Sequence, residues 1–215
     1  MAFHHANFPP SASLPSPDTE GRLTLHVPAP TDVWRKPPSH DVFGAPIVYQ
    51  SMKVSEFKSA RVSASGEWKT LYDQGGLIIV LPAKKSSASS DRLQKRWIKM
   101  GIEFYDERPM MSVVAADAWA DWSLCPLEGE DEKAGKMTVA VERKRAKDGG
   151  WGPVLQVLRV GKEGVKTPIR EVTWAFHDID EDAEMWVGMF GAKPTESDVE
   201  ELVVRLEGFE VEMRS

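Results

Sequence analysis

The chain is divided by turn residues into about a dozen short segments that are typical of β-strands. Glycine-rich turn signals such as residues 148–150 and 161–164 separate the segments, and apolar residues alternate with polar ones in several of them. Many short strands at this spacing favour a β-sandwich or a β-barrel over an α/β fold. The predicted strands span residues 23–27, 47–53, 57–64, 76–81, 96–105, 110–115, 121–126, 136–143, 152–160, 169–176, 185–192 and 203–213.

The pattern predicts one helix and one irregular strand near the C-terminus. Residues 195–202 form the predicted helix, because Thr195 and Asp198 have the spacing of a capping box. A turn that leads into the last strand is the alternative. Within that strand the alternation breaks at Glu207 and Gly208, and a β-bulge at Gly208 would restore it.

Residues 96–105 predict a strand whose two faces differ in character. Side chains alternate between the faces of a sheet, so Ile98, Met100, Ile102 and Phe104 form an apolar set suited to a core. The opposite face carries two aromatic residues, a base and an acid around a glycine. That combination suits the binding of a flat polar ligand. The residues of this second face are Trp97, Lys99, Gly101, Glu103 and Tyr105.

Composition and charge exclude several classes of protein. The 215 residues carry a net charge of −6, which disfavours nucleic acid as a partner. A single cysteine, Cys125, excludes an internal disulfide, and its apolar neighbours predict a buried, unreactive thiol. No apolar run approaches the roughly 18 residues of a membrane span, and the N-terminus lacks the pattern of a secretory signal. We therefore expect a cytoplasmic protein with no membrane partner.

Residues 1–20, rich in Pro and Ser, are expected to form an irregular arm before a single domain at residues 21–215.

Six segments together resemble a known family. In order along the chain they are WRKPP at 34–38, YDQGGL at 72–77, RWIK at 96–99, GIEF at 101–104, WADWS at 119–123 and WVG at 186–188. They resemble a family of unknown function in the concanavalin A-like lectin/glucanase superfamily, which includes the yeast regulator-of-enolase proteins. The resemblance extends from about Val33 to Met213. It implies a two-sheet antiparallel β-sandwich, a jelly roll with a concave face, but it does not imply a reaction.

The eight tryptophans supply the main functional signal. Aromatic rings on the concave face would offer flat surfaces for a sugar or another planar ligand, whereas aromatic rings in the core would have no such role. We predict a ligand-binding site in which aromatic rings stack on the ligand and polar side chains form directional hydrogen bonds. Its predicted residues are Trp34, Gln74, Trp97, Lys99, Glu103, Tyr105, Trp122, Arg170 and Trp186.

No catalytic, metal or cofactor motif accompanies this site. Glucanases of the superfamily carry several acids on one strand, and that array is absent, so Glu103 is interpreted as a hydrogen-bonding or ion-paired residue. The acids of residues 177–184 are interpreted as a solvated hairpin loop, with a calcium loop as the alternative. We therefore predict no catalytic residue, no metal and no cofactor.

Three functions remain open from the sequence. The first is a non-catalytic module that binds a carbohydrate, a small metabolite or a protein. The second is an enzyme acting on a glycan or sugar-like metabolite, with Glu103 as acid or base. The third is a regulator that binds a metabolic enzyme as its partner.

Overall fold

The computed structural model describes residues 1–10, 12–87, 95–198 and 201–214, whose strands form two large antiparallel β-sheets and one two-stranded hairpin. The predicted two-sheet antiparallel β-sandwich is thereby confirmed. Sheet A has seven strands in the order β1 (His4–Ala6), β5 (Ile47–Lys53), β14 (Glu184–Ala192), β7 (Gln74–Leu81), β8 (Arg96–Tyr105), β9 (Arg108–Ala116) and β10 (Ala120–Pro126). Sheet B has six strands in the order β13 (Lys166–Val172), β12 (Trp151–Val160), β11 (Lys136–Arg145), β6 (Phe57–Gly66), β15 (Glu201–Met213) and β2 (Leu23–Pro28).

The main core lies between the two sheets and is built from alternate residues of each strand. Ile98, Met100 and Ile102 contribute to it from β8, and Val139 and Val141 contribute from β11. The apolar face predicted for residues 96–105 is therefore the core face of sheet A. Burying each such side chain stabilises the fold by about 1.5–3 kcal/mol before entropy is counted.

The long strand β15 contains the predicted bulge. Its pairing with β6 shifts between Glu207 and Glu210, and Gly208 has φ of +62°. Glycine adopts this conformation without steric cost, which explains its position at the bulge. Beyond the shift, Phe209 and Val211 pack against the main core, so the bulge restores the alternation.

The helix prediction was wrong in its position. Residues 195–198 form no helix, strand β15 begins at Glu201, and residues 199–200 lie outside the described residues. The α-helix of the described chain, α1 (Gly129–Ala134), instead joins β10 to β11. Three acidic residues in its first turn complement the helix dipole, and Gly135 ends it at φ of +53°.

Three short strands were not predicted. Strand β1, at residues 4–6 of the segment expected to be an irregular arm, lies at the edge of sheet A, where it pairs with β5. Strands β3 (Val33–Lys36) and β4 (His40–Phe43) pair with each other in a separate hairpin. The predicted strand 169–176 is also displaced: β13 spans Lys166–Val172, and residues 173–178 form turns.

Cys125 is exposed, so the prediction of a buried thiol was wrong. It lies on β10, an edge strand of sheet A, where the outermost residues lack a neighbouring strand to cover them. Within the part of the chain that the structure describes, no helix is long and apolar enough to cross a membrane.

Candidate ligand-binding site

Strands β7, β8 and β9 bring the site residues together on the face of sheet A that points away from the main core, called here the outer face. Lys99 lies between Ile78 and Val114 on neighbouring strands. Four residues further along β8, Glu103 pairs with Gln74 of β7. The side chains of Lys99 and Glu103 thus share one face because of the two-residue period of the strand.

The β3–β4 hairpin covers one part of the outer face and forms a second apolar cluster there. Trp97 is fully buried beneath this cover, within a cluster of small, aliphatic and aromatic residues. The cluster of buried residues consists of Val33, Ala45, Ile47, Ile78, Val80, Trp97, Val114, Ala116, Phe190 and Ala192.

The buried side chain of Arg35 attaches the hairpin to the sheet. Its Nη1 donates to the carbonyl oxygen of Asp117 (3.1 Å) and its Nη2 to that of Lys95 (2.9 Å). Its Nε lies 3.0 Å from the carboxylate of Asp41 on β4. The guanidinium therefore connects both hairpin strands to the loops at one end of β8 and β9.

Beside the hairpin, the outer face opens into a cleft with a volume of about 320 Å³. Its walls are aromatic: the ring centroids of Trp34 and Trp122 are 6.2 Å apart, nearly perpendicular, and Tyr72 also lies 6.2 Å from Trp122. The lining residues are Asp32, Trp34, Lys36, Tyr72, Gln74, Lys99, Glu103, Val114 and Trp122.

Lys99 supplies a buried amine on the floor of the cleft. Its Nζ donates to Oε1 of Gln74 (2.6 Å) and lies 3.4 Å from Oδ1 of Asp32. Burial lowers the pKa of Lys99, and the carboxylates of Asp32 and Glu103 offset this only in part. Gln74 is itself held in place, since its Nε2 donates to the carbonyl oxygen of Tyr72 (3.2 Å).

Glu103 supplies a buried carboxyl group beside this amine. Its Oε2 accepts hydrogen bonds from Oγ of Ser112 (2.7 Å) and from Nε1 of Trp122 (3.1 Å). Burial raises the pKa of Glu103, against the opposing effects of Lys99 and of these two donors. Burial therefore moves both groups towards their neutral forms, which is common at functional sites.

A pair of glycines explains how Lys99 reaches Gln74. Gly76 and Gly101 face each other on β7 and β8, with φ of +156° and +150°. A Cβ on Gly101 would lie 2.2 Å from the carbonyl oxygen of Gly75, so only glycine fits this approach. Because this position carries no side chain, the arm of Lys99 can pass over it towards Gln74 and Glu103.

Five of the nine predicted site residues line the cleft: Trp34, Gln74, Lys99, Glu103 and Trp122. Tyr105 lies at the rim, where its ring is exposed and packs edge-on against Trp122 at 5.4 Å.

The other three predicted residues lie elsewhere. Trp97 is beneath the hairpin. Arg170 belongs to β13 of sheet B and forms an ion pair with Asp121, with its Nη1 also bonded to Ser123 Oγ (3.0 Å). The ring of Trp186 stacks on that of Tyr49, with centroids 4.1 Å apart, and the Nζ of Lys95 lies 4.9 Å from the Trp186 ring centroid in a cation–π contact.

Sequence reasoning missed four lining residues: Asp32, Lys36, Tyr72 and Val114. Lys36 and Tyr72 lie in the WRKPP and YDQGGL segments, and Asp32 precedes the first of these, so their proximity to Trp34 and Gln74 was a usable signal. The sequence pattern does not show that the hairpin crosses sheet A, and that crossing brings Asp32 to Lys99.

The larger depressions on sheet B have a different character. Two of them have volumes of about 620 and 610 Å³; the smaller is lined mostly by charged side chains, and the larger mixes charged residues with small and apolar ones. These charges form exposed pairs such as Arg61 with Glu210 (2.8 Å) and Lys58 with Glu212 (2.5 Å). Exposed pairs of this kind are typical of a solvated surface, so the cleft of sheet A is the stronger candidate.

Acidic side chains of the loop at residues 177–184 form ion pairs with basic residues. Glu181 accepts from Nη2 of Arg143 (2.6 Å), and Asp182 lies 3.1 Å from Nζ of Lys53. Across the described residues, no cluster of three or more His, Cys, Asp or Glu side chains is arranged to hold a metal ion.

Two curated proteins are similar to this chain. An uncharacterized protein of Emericella nidulans, AN7484, is 41% identical over 182 residues, which cover 80% of this chain and 78% of that protein. Regulation of enolase protein 1 of Saccharomyces cerevisiae is 26% identical over 103 residues, about half of each chain (48% and 46%).

Solved structures with a similar fold support the β-sandwich architecture of this chain. A functionally unknown protein from Saccharomyces cerevisiae superposes with a TM-score of 0.73 at 20% identity, over 99% of this chain and 97% of that one. A LamA variant from Zobellia galactanivorans, in complex with laminaritriose and laminaritetraose, superposes with a TM-score of 0.53 at 7% identity, over 99% of this chain and 92% of that one. The fold is that of the concanavalin A-like lectins and glucanases. The family described as "Protein of unknown function (DUF1349)" matches residues 9–214, and the chain belongs to this family.

Proposed function

We propose that the protein binds a small carbohydrate or sugar-like metabolite, without catalysis, in the cleft on the outer face of sheet A. The observation that carries this proposal is the buried Lys99 and Glu103 on the floor of an aromatic-walled cleft. Removing charged groups from water costs free energy. Their retention at the bottom of an open cleft is therefore best explained by a polar ligand.

The chemistry of the cleft matches a polyhydroxylated ring. Lys99 donates hydrogen bonds and the carboxyl groups of Asp32 and Glu103 accept them, while hydroxyl groups do both. The indole of Trp122 presents an apolar surface for the C–H face of a sugar, and its N–H is already directed to Glu103. The volume falls at the lower end of the range for small-molecule sites, roughly 300–1,000 Å³.

The direct test is a thermal-shift and calorimetric screen against mono- and oligosaccharides and phosphorylated sugars. A ligand at about 100 times its Kd should add about 2.7 kcal/mol of stability. We expect Trp122→Ala to weaken binding at least about tenfold, or 1.4 kcal/mol. Trp119→Ala is the matched control, because Trp119 is exposed outside the cleft. Absence of any ligand, or equal affinity of the Trp122→Ala variant, would contradict the proposal.

A second candidate function is hydrolysis or another reaction of a glycan. Asp32 provides a second carboxyl group in the cleft, and its charge contributes to the raised pKa of Glu103. Glycoside cleavage uses a pair of carboxyl groups at one site. This function predicts turnover of a ligand found in the screen and its loss in both Glu103→Gln and Asp32→Asn. Binding without turnover favours the first proposal.

A protein partner is the third candidate, motivated by the name of the yeast relative. It predicts that a metabolic enzyme is retained by the immobilised Trp122→Ala variant as well as by the immobilised wild-type protein, because the partner would not bind in the cleft. The cytoplasmic location expected from the sequence belongs with each of these proposals.

A further inference from the structure

We propose that Lys99 captures the carbonyl carbon of an open-chain sugar, or of a related small aldehyde or ketone, as a reversible imine. The inference rests on the proposed function, because it concerns a ligand of the same cleft. It adds a chemical class: the bound molecule carries a free carbonyl group, as a reducing sugar does when its ring opens.

The position of the Lys99 amine carries this inference. The amine lines the cleft, yet its side chain is only 4% exposed, and its short contact is with a neutral amide oxygen, Oε1 of Gln74. The charged and titratable groups that face it across the cleft are Asp32, Glu103, Lys36 and Tyr72. A lysine attacks a carbonyl only in its neutral form, and burial in a cleft favours that form.

Another buried lysine shows that burial alone does not create such a site. Lys193 is fully buried, but its Nζ is surrounded by Thr70 Oγ1 (2.9 Å), Ser197 Oγ (3.1 Å) and Asp73 Oδ1 (3.4 Å). These three acceptors suit an ammonium group that holds loops together. Lys193 does not line the cleft, whereas Lys99 does.

The proposed step is balanced by groups within the cleft. The lone pair of Lys99 Nζ forms a bond to the carbonyl carbon, and one amine proton is transferred to the carbonyl oxygen to give a carbinolamine. Glu103, which pairs across the strands with Gln74, donates its proton to the carbinolamine hydroxyl as the C–O bond breaks and water leaves. The resulting carboxylate recovers a proton from the nitrogen, leaving a neutral imine. Addition of water reverses the sequence, so no oxidant or reductant is required.

Reductive trapping tests the proposal in the wild-type protein. The protein is incubated briefly with D-glyceraldehyde and sodium cyanoborohydride at pH 7, and the modified lysines are identified by peptide mass spectrometry. A lysine with the ordinary pKa of about 10.4 is neutral in only about one molecule in 2,500 at this pH. Because burial favours the neutral, reactive amine of Lys99, we expect Lys99 to be labelled at least about tenfold faster than Lys36, which lines the same cleft but is exposed.

A second variant and a second ligand separate the inference from the proposed function. Glu103→Gln should slow the labelling of Lys99 at least about tenfold, because the amide supplies no proton to the leaving hydroxyl group. Methyl glycosides cannot open to a carbonyl and should bind without any labelling. Saccharide binding with Lys99 unlabelled, or with label spread evenly over exposed lysines, overturns the imine and leaves the proposed function standing. Failure of both binding and labelling overturns both.

Discussion

The outer face of sheet A contains two regions that differ although one strand supplies both. Trp97 lies under the β3–β4 hairpin and is fully buried in an apolar cluster. Lys99 and Glu103, two and six residues further along β8, lie in the open cleft beside the hairpin. Alternation along the strand places all three side chains on the same face. The hairpin covers Trp97 and leaves Lys99 and Glu103 beside the cleft.

This difference separates stability from binding on a single surface. The covered region acts as a second core, in which an aromatic side chain contributes mainly to folding. The open region holds polar groups whose burial opposes folding, and in the proposed function these groups bind the ligand. Paired substitutions in the two regions test whether stability and binding are separable in this way.

The largest effect is expected from Trp97→Ala. Removal of this buried indole should lower the free energy of unfolding by about 3–5 kcal/mol, as measured by urea denaturation. The indole N–H of Trp97 has no hydrogen-bond acceptor among the described residues. Trp97→Phe, which removes that N–H and keeps a ring, should therefore cost much less.

The matched variant in the open region is Trp122→Ala, which removes a half-buried indole from the cleft wall. It should cost less stability than Trp97→Ala and more ligand affinity. If both tryptophan variants lose the same free energy of unfolding, the distinction between the covered and open regions is not real.

The next effect concerns the attachment of the hairpin. Arg35→Met keeps much of the side-chain volume but removes the donors to the carbonyl oxygens of Asp117 and Lys95. Loss of hydrogen bonds from a charged donor should cost about 1.5–3 kcal/mol. The same change should speed amide hydrogen exchange in residues 33–43 more than in sheet B.

Arg61→Met is the control for this variant, because Arg61 forms an exposed ion pair with Glu210 on sheet B. Such pairs contribute about 1 kcal/mol or less. Equal losses of stability in the Arg35 and Arg61 variants would show that the buried guanidinium does not hold the hairpin in place.

The contrast between the covered and open regions also explains which structural features the sequence predicts. The period of two was enough to place Ile98 in the main core and Lys99 on the opposite face, because alternation is a local property of the backbone. The bulge at Gly208 was predictable for the same reason: its glycine and the broken alternation are adjacent in the chain.

What the sequence did not reveal depends on tertiary contacts. Trp97 and Glu103 belong to one face and were assigned to one site, but a hairpin 60 residues away in the chain covers only the first. Arg170 was predicted to join that face, yet β13 lies at the edge of sheet B. The position of such a cover cannot be derived from the alternation within a single strand.

The smallest effect is a change in how stability depends on pH. Glu103 has a raised pKa in the folded protein, so the folded state binds its proton more tightly than the unfolded state does. Its contribution to stability is fully present below the unfolded pKa of about 4.3 and is lost as the pH rises through the folded pKa. We expect Glu103→Gln to remove this loss, while Oε1 of the new amide still accepts from Ser112 and Trp122.

The free energy of unfolding of Glu103→Gln, relative to wild type, should therefore increase between pH 4 and pH 8. Lys99→Met provides the opposite perturbation. The positive charge of Lys99 holds down the pKa of Glu103, so its removal raises that pKa further and moves the decline in stability to higher pH. Parallel unfolding profiles for wild type and both variants would mean that the two groups do not interact across the glycine pair. The open region would then lack the electrostatic character that distinguishes it from the covered one.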